Sequence, residues 1–260
     1  MTRILWDINS DKVLAEMKKG IRLDGRKVDE YRKVSIQNHI SENADGSARV
    51  RIGETDVMAG VKMLPGEPYP DMPDQGSISV GMELLPLASP SFESGPPREE
   101  SIELSRVVDR GIRESKAIDF KDLCIKEGEK VWIVFIDMYA LNFDGNLFDA
   151  ASLAALSSLL EAKVPKLDDE NKIVKGEFSG KLKLSRKPLL STFAKVGGTV
   201  VLDPMLAEEI AMSARFSVAT TDDGQITAFQ KGGGGSFTSA EIDSSIDHAF
   251  EKAKQLRKLL

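Results

Sequence analysis

Apolar residues recur with two different periods along this chain, and the change from one to the other separates strands from helices. Ala48, Val50 and Ile52, then Val57, Ala59, Val61 and Met63, occupy every second position. Gly53-Glu54-Thr55-Asp56 stands between the two runs, so the pattern predicts an antiparallel hairpin. Val34, Ile36 and Ile40 form a more broken alternation before it, and Ile78, Val80, Met82 and Leu84 a clean one after it. Residues 131–136 are a continuous apolar run suited to a buried strand. Helical spacing appears at residues 99–117 and again at 147–162, the second segment being apolar on most sides.

Punctuation residues complete the outline. Asn9 and Ser10 are suited to cap a helix over residues 10–19, with Gly20 as its stop. Ala44-Asp45-Gly46-Ser47 reads as a turn, and two proline-rich stretches, residues 64–76 and 86–97, read as loops. Residues 164–175 are polar and read as a linker. Strands are expected at 181–184, 192–196 and 199–202, then a helix at 204–212. Two further strands, 215–220 and 225–229, flank the turn Asp222-Asp223-Gly224, and Thr238-Ser239-Ala240-Glu241 is a capping box for a last helix. Mixed antiparallel strands with segregated helices predict an α+β fold in two consecutive lobes, residues 1–165 with a leading helix and residues 166–260.

Composition narrows the chemistry. The chain has 260 residues, a formal net charge of −6, one cysteine and two histidines. No apolar run reaches the roughly 18 residues of a membrane span, and a lone Cys124 supplies no internal disulfide, which favours a reducing, cytoplasmic setting. His39, His248 and Cys124 cannot supply a typical zinc site or a Ser-His-Asp arrangement, so neither a metal nor another cofactor is expected. Asp71 and Asp74 lie in a proline-rich loop without ligand spacing. The acidic balance argues against a freestanding nucleic-acid binder, though not against a local basic stripe within an assembly.

Arg106, Arg110 and Arg113 form such a stripe, at i, i+4 and i+7 on one helix face, with Val107, Val108, Gly111 and Ile112 opposite. They could present guanidinium groups to a phosphodiester backbone. Asp109 and Glu114 stand at ion-pairing distances along the same helix, so an ordinary solvated face explains the pattern equally well. Gly232–Gly235 lacks the Lys-Ser/Thr of a phosphate loop and reads as a turn.

Between the buried strand and the apolar helix lies Asp144-Gly145-Asn146-Leu147-Phe148-Asp149. A turn entering a helix offers free N–H groups and a positive dipole end, a natural seat for phosphate. The side chains are wrong for it. Phe148 donates nothing and Asp149 adds a negative charge.

Arg22-Leu23-Asp24-Gly25-Arg26, Ala44-Asp45-Gly46-Ser47-Ala48 and Gly53-Glu54-Thr55 together match, in order and spacing, the N-terminal signature of the RNase PH family. Its members remove RNA 3′-terminal nucleotides with phosphate as nucleophile. Arg106-Val107-Val108-Asp109-Arg110-Gly111-Ile112-Arg113-Glu114-Ser115 and Val201-Leu202-Asp203-Pro204 resemble its non-catalytic archaeal exosome branch in particular. The resemblance implies an RNase PH-like fold: an N-terminal lobe like domain 2 of ribosomal protein S5 and a smaller α/β C-terminal lobe.

Active relatives read Gly-Gly-Thr-Arg and then Ser or Thr at the strand-to-helix turn. Here Gly145, Asn146, Leu147, Phe148 and Asp149 stand at those places, a degenerate phosphate site. A charge about 4 Å from an anion costs it roughly 1 kcal/mol in water and about 4 kcal/mol at an effective dielectric of 20. The carboxylates of the active family's acid site correspond to Asp203 and Glu209, where the bland expectation is that Asp203 caps a helix beginning at Pro204. Glu99-Glu100 replaces an arginine pair of the active branch.

The resemblance thus implies a non-catalytic subunit of a 3′-to-5′ phosphorolytic ring. It would alternate with a catalytic RNase PH-type chain as a trimer of heterodimers, carry S1/KH-type RNA-binding cap proteins, and lend Arg106, Arg110 and Arg113 to the RNA path. The rival expectation is an active phosphate-dependent exoribonuclease using Asp203 and Glu209.

Overall fold

In the computed structural model, residues 2–260 are described, side chains from residue 10 onward. Helix α1 (Thr2–Met17) leads into strands β1 (Val34–Asn38), β2 (Gly46–Ile52), β3 (Thr55–Gly66) and β4 (Ser77–Leu84), then helix α2 (Glu99–Glu114). Strands β5 (Cys124–Lys126) and β6 (Lys130–Asn142) precede helix α3 (Leu147–Glu161), and β7 (Lys163–Leu167) and β8 (Ile173–Lys181) follow it. The remainder is β9 (Leu189–Val196), β10 (Thr199–Leu202), α4 (Leu206–Ala211), β11 (Met212–Thr220), β12 (Ile226–Gly232) and α5 (Ser239–Leu256). Among the described residues no helix is long and apolar enough to cross a membrane.

The larger sheet runs β1-β2-β3-β6-β4, with β5 also paired to β6. All its pairings are antiparallel except β4 with β6. The period-two residues Val50, Ile52, Val57, Ala59, Val61 and Met63 are fully buried on one face, against α3. Helix α3 is apolar nearly all round because it is covered nearly all round: it contacts β2 and β3 on one side and β9 and α2 on others. A second sheet, β10-β9-β11-β12, is antiparallel throughout and packs against α5.

Three local expectations fail for identifiable reasons. Helix α1 runs through Asn9 and Ser10, so neither caps it. Residues 164–175 are not a linker: β7 and β8 pair as a two-stranded ribbon whose bulge places Lys163, Pro165, Phe178 and Lys181 together. Lys163 lies over the Phe178 ring at 5.4 Å. The polar sequence misleads because one face of the ribbon is solvated while Val164, Leu167 and Ile173 pack against the core. Lys181 ends β8, and residues 182–184 are not a strand.

The family-like signature residues turn out to be fasteners. A Cβ at Gly46 would lie 2.3 Å from the Ser158 carbonyl oxygen and 2.6 Å from the Ala162 nitrogen, so only glycine lets β2 approach α3 this closely. The buried Asp45 carboxylate accepts from the Met63 N–H at 2.7 Å and from Lys62 Nζ at 2.9 Å. Arg22 is fully buried; its Nε and Nη2 donate to the two Glu208 oxygens at 2.9 and 2.7 Å, and Nη1 donates to the Leu202 carbonyl at 2.9 Å.

Removing one partner of such a buried pair strands the other charge, whereas replacing both can be nearly neutral. Glu208→Ala is therefore expected to lower unfolding free energy by about 3–5 kcal/mol in urea denaturation. The double variant Arg22→Met, Glu208→Leu should recover part of that loss. Equal stability of Glu208→Ala and the parent chain would contradict this assignment.

Candidate functional site

The turn between β6 and α3 is held from three sides. Thr55 Oγ1 donates to the Gly145 carbonyl at 2.6 Å and accepts from the Asp144 N–H at 3.2 Å. Arg32 donates through Nη1 to the Asp144 carbonyl at 2.5 Å and through Nη2 to that of Gly145 at 3.1 Å. Gly145 has φ of 84°, and a Cβ there would sit 2.5 Å from the Pro204 carbonyl oxygen. Glycine is thus required twice over, for its backbone angle and for the approach of the segment leading to α4.

Asn146 caps α3 from the left-handed region, φ 55°. Its N–H donates to Glu209 Oε1 at 2.7 Å, and its Nδ2 to Asp149 Oδ2 at 2.9 Å and Asp203 Oδ1 at 2.7 Å. The anion seat at the start of α3 is therefore occupied by a carboxylate of the chain itself. The occupant is Glu209. Asp149, whose charge the sequence places at this helix start, is not the occupant. The Asp149 carboxylate turns inward, accepting from Tyr31 Oη at 2.7 Å and the Thr192 N–H at 3.0 Å.

Asp203 also departs from expectation. It does not cap α4, whose N-cap is Met205. With φ of 49°, it accepts instead from Arg32 N–H at 2.8 Å, Arg32 Nε at 3.0 Å and Nη2 at 2.8 Å, and Arg26 Nη1 at 3.1 Å. Burial pushes its carboxyl up, but Arg32 and Asn146 more than offset this and hold it below the ordinary range. Asp149 and Glu209 go the other way. Burial raises Asp149 to about 6 against its hydrogen bonds, three of which crowd Oδ2 while Oδ1 has no partner. Burial likewise raises Glu209 to about 7, opposed by the Asn146 N–H, Arg215 and Arg32.

Phe148 faces a different neighbour. The Arg215 guanidinium lies over its ring at 4.0 Å, and Arg215 Nη2 donates to Glu103 Oε1 at 2.5 Å. Phe148, Leu147, Glu209, Arg215 and Phe143 line a cavity of about 440 Å³ between α2, α3 and α4. The five residues of the expected phosphate site thus lie together, with Asp203 and Glu209 beside them. Asn146, Asp149, Asp203 and Glu209 are joined by hydrogen bonds, whereas Leu147 and Phe148 face the cavity.

The arginine stripe divides. Arg113 donates to both Asp109 oxygens at 3.0 and 2.9 Å and to the Ile78 carbonyl at 3.1 Å, and it stands over Phe120. Arg106 and Arg110 are exposed and line a groove with Phe229 and Gln230 of β12. Arg110 has only Glu114 at 4.0 Å, a weak exposed pair. Among the described residues Arg106 pairs with no carboxylate, and no group of three or more His, Cys, Asp or Glu side chains could hold a metal ion. Asp74 pairs with Lys121 at 3.0 Å.

Sequence reasoning missed Tyr31, Arg32, Thr192, Glu208 and Arg215. Only Glu208 left a trace, as a carboxylate in the first turn of a short helix. The others act across elements far apart in sequence.

The N-terminal part, residues 30–165, matches the 3′ exoribonuclease family, domain 1, and residues 188–252 match domain 2 of the same family. The chain belongs to the 3′ exoribonuclease (RNase PH) family. Within it, the chain is 46% identical over 99% of its length to the exosome complex component Rrp42 of Thermococcus gammatolerans, covering 95% of that protein. It is 48% identical to the same component of Methanocella arvoryzae, over 99% of this chain and 97% of that one. A chain of the Archaeoglobus fulgidus exosome, solved with RNA bound to the active site, superposes with a TM-score of 0.93 at 47% identity, covering 98% of each.

The raised Glu209 gives a pH-dependent prediction. A carboxyl whose folded pKa exceeds its unfolded value binds more protons when folded, so its ionisation costs stability as pH rises from about 4.5 to about 7. Glu209→Gln removes that cost and keeps an acceptor for the Asn146 N–H. The variant should therefore gain about 1–3 kcal/mol relative to the parent between pH 5 and pH 8, by urea unfolding at both values. A difference independent of pH would show that Glu209 ionises normally.

Proposed function

We propose that this chain is a non-catalytic component of an archaeal-type exosome. It would complete the active site of a catalytic RNase PH-type partner in an alternating six-membered ring, a trimer of heterodimers. Residues 1–165 and 166–260 act as its two lobes, S1/KH-type cap proteins sit on the ring, and RNA passes beside α2. The similarity to Rrp42 exosome components over nearly the whole length of both chains supports the assembly.

One observation carries the loss of catalysis: the Glu209 carboxylate sits on the Asn146 N–H where attacking phosphate would need to be. Phosphorolysis requires a donor-rich seat for the nucleophile together with an acid for the departing oxygen. A carboxyl titrating at about 7 suits the second task and favours the rival, active reading. It cannot serve both as the acid and as the occupant of the seat. Asp203, bound to two arginines and to Asn146, has no free proton to give.

The deciding experiment is co-expression with a catalytic-type chain, assaying release of nucleoside diphosphates from RNA in phosphate buffer. Turnover is expected from the complex and not from this chain alone. Release by the purified single chain would establish the active reading instead.

Within the complex, Arg106→Glu with Arg110→Glu should weaken RNA binding about tenfold or more and flatten its salt dependence, since each lost phosphate contact lowers the slope by about one. Arg113→Gln should have the smaller effect on RNA, because Asp109 and the Ile78 carbonyl already hold that side chain. Unchanged affinity of the Arg106/Arg110 variant in a correctly assembled ring would remove α2 from the RNA path.

A further inference from the structure

Strand β6 is apolar on both faces, yet only one of them is covered. Its inward residues Val134, Ile136, Met138 and Ala140 are fully buried, and α2 and α3 lie over that side of the sheet. Its outward residues Ile133, Phe135, Tyr139 and Leu141 are partly exposed. Among the described residues, neither these four nor Met58 and Leu64 of β3 pack against a hydrophobic cluster. An antiparallel sheet with one wet face alternates apolar with polar residues, and the apolar run at 131–136 does not. A strand of this kind needs cover on both sides, and the chain supplies it on one.

A single carboxylate stands in the middle of the open face. Asp137 is exposed, and its register partners on both sides are glycines, Gly60 of β3 and Gly81 of β4. A Cβ at Gly81 would lie 3.2 Å from Asp137 Oδ1, so glycine there keeps the approach to the carboxylate clear. No cation of the sheet answers it. In the adjoining outward rows, Lys62 pairs with Asp45 at 2.9 Å and Arg49 with Asp56 at 2.7 Å. Partial burial is accordingly the one influence on the Asp137 carboxyl, and it pushes that group up.

We propose that this outer sheet face docks the catalytic-type chain of the ring, which lays an apolar surface on Phe135 and Tyr139 and sets a basic side chain on Asp137. The inference rests on the reading of the chain as a ring component. Charge complementarity selects the occupant. A two-fold contact between copies of this chain, centred here, would set one Asp137 against the other in apolar surroundings. A different chain with a lysine or arginine at that point meets no such repulsion, so the face favours alternation over self-pairing.

The test is hydroxyl-radical footprinting of this chain alone and of its complex with a co-expressed catalytic-type chain, without cap proteins. Met58, Phe135 and Tyr139 should be labelled in the chain alone and protected about fivefold or more in the complex. Asp137 bonds to nothing within the chain, so Asp137→Lys should fold normally by circular dichroism and weaken association about thirtyfold or more. Asp137→Asn should act in the same direction to a smaller extent and serves if the lysine variant folds poorly.

Three results would overturn the proposal alone: an assembled complex in which these residues stay labelled, parental affinity in a folded Asp137→Lys chain, or equal protection of the face in the chain by itself. Protection that appears only when a cap protein is added would also overturn it. Failure of the parent chain to assemble with any catalytic-type chain would overturn the ring reading and this inference together.

Discussion

The Asp203 carboxylate is the point at which the two sheets are tied to one another. It stands after β10 of the smaller sheet and receives Arg32 from the segment before β1, Arg26 from the preceding turn, and Asn146 from the start of α3. Arg22 adds its bond to the neighbouring carbonyl and its pair with Glu208. Buried charges are tolerated only when nearly every lone pair and proton is satisfied, and here the satisfaction crosses more than a hundred residues of sequence. The positive φ at Asp203 follows from that demand, since the backbone must turn to aim both oxygens at the arginines.

That knot also sets the electrostatics of the turn before α3. The cations are spent on Asp203, so Asp149 and Glu209 lie in the same buried region without a strong cation of their own. Asp203 is driven down while Asp149, Glu209 and Asp144 are driven up within a single network, because Arg32 outweighs burial at Asp203 and not at the others. A site able to receive phosphate needs the opposite distribution, with free donors facing an opening.

The larger sheet, its hairpin and the apolar α3 were legible in the sequence because period and burial coincide there. The ordered glycine and arginine signature was legible too, although its physical meaning was not. Arg22 reads as a polar turn residue but is fully buried, and Thr55 reads as part of a hairpin but anchors a loop ninety positions later. The ribbon β7–β8 was hidden because its solvated face carries lysines and its few core-facing residues are spread over two strands. Arg215 and Tyr31 were beyond reach, since their roles arise from tertiary juxtaposition and leave no local pattern. Glu209 was visible as a carboxylate of interest, whereas its position on the Asn146 N–H was not.

The close contact of Gly145 with the Pro204 carbonyl makes the filling of the α3 start by Glu209 a collective property. Restoring an arginine at Phe148 alone would set a second cation against Arg215, while Glu209 would still plug the seat. Removing Glu209 alone would leave a buried N–H bare and Asp149 still present. Moving α4 aside is blocked, because its approach is fixed by backbone against backbone at Gly145 and by Arg22 on Glu208. An open anion seat at this turn therefore requires several of these residues to change together. If the chain works as proposed, its reliance on a competent partner is a property of how one turn is packed.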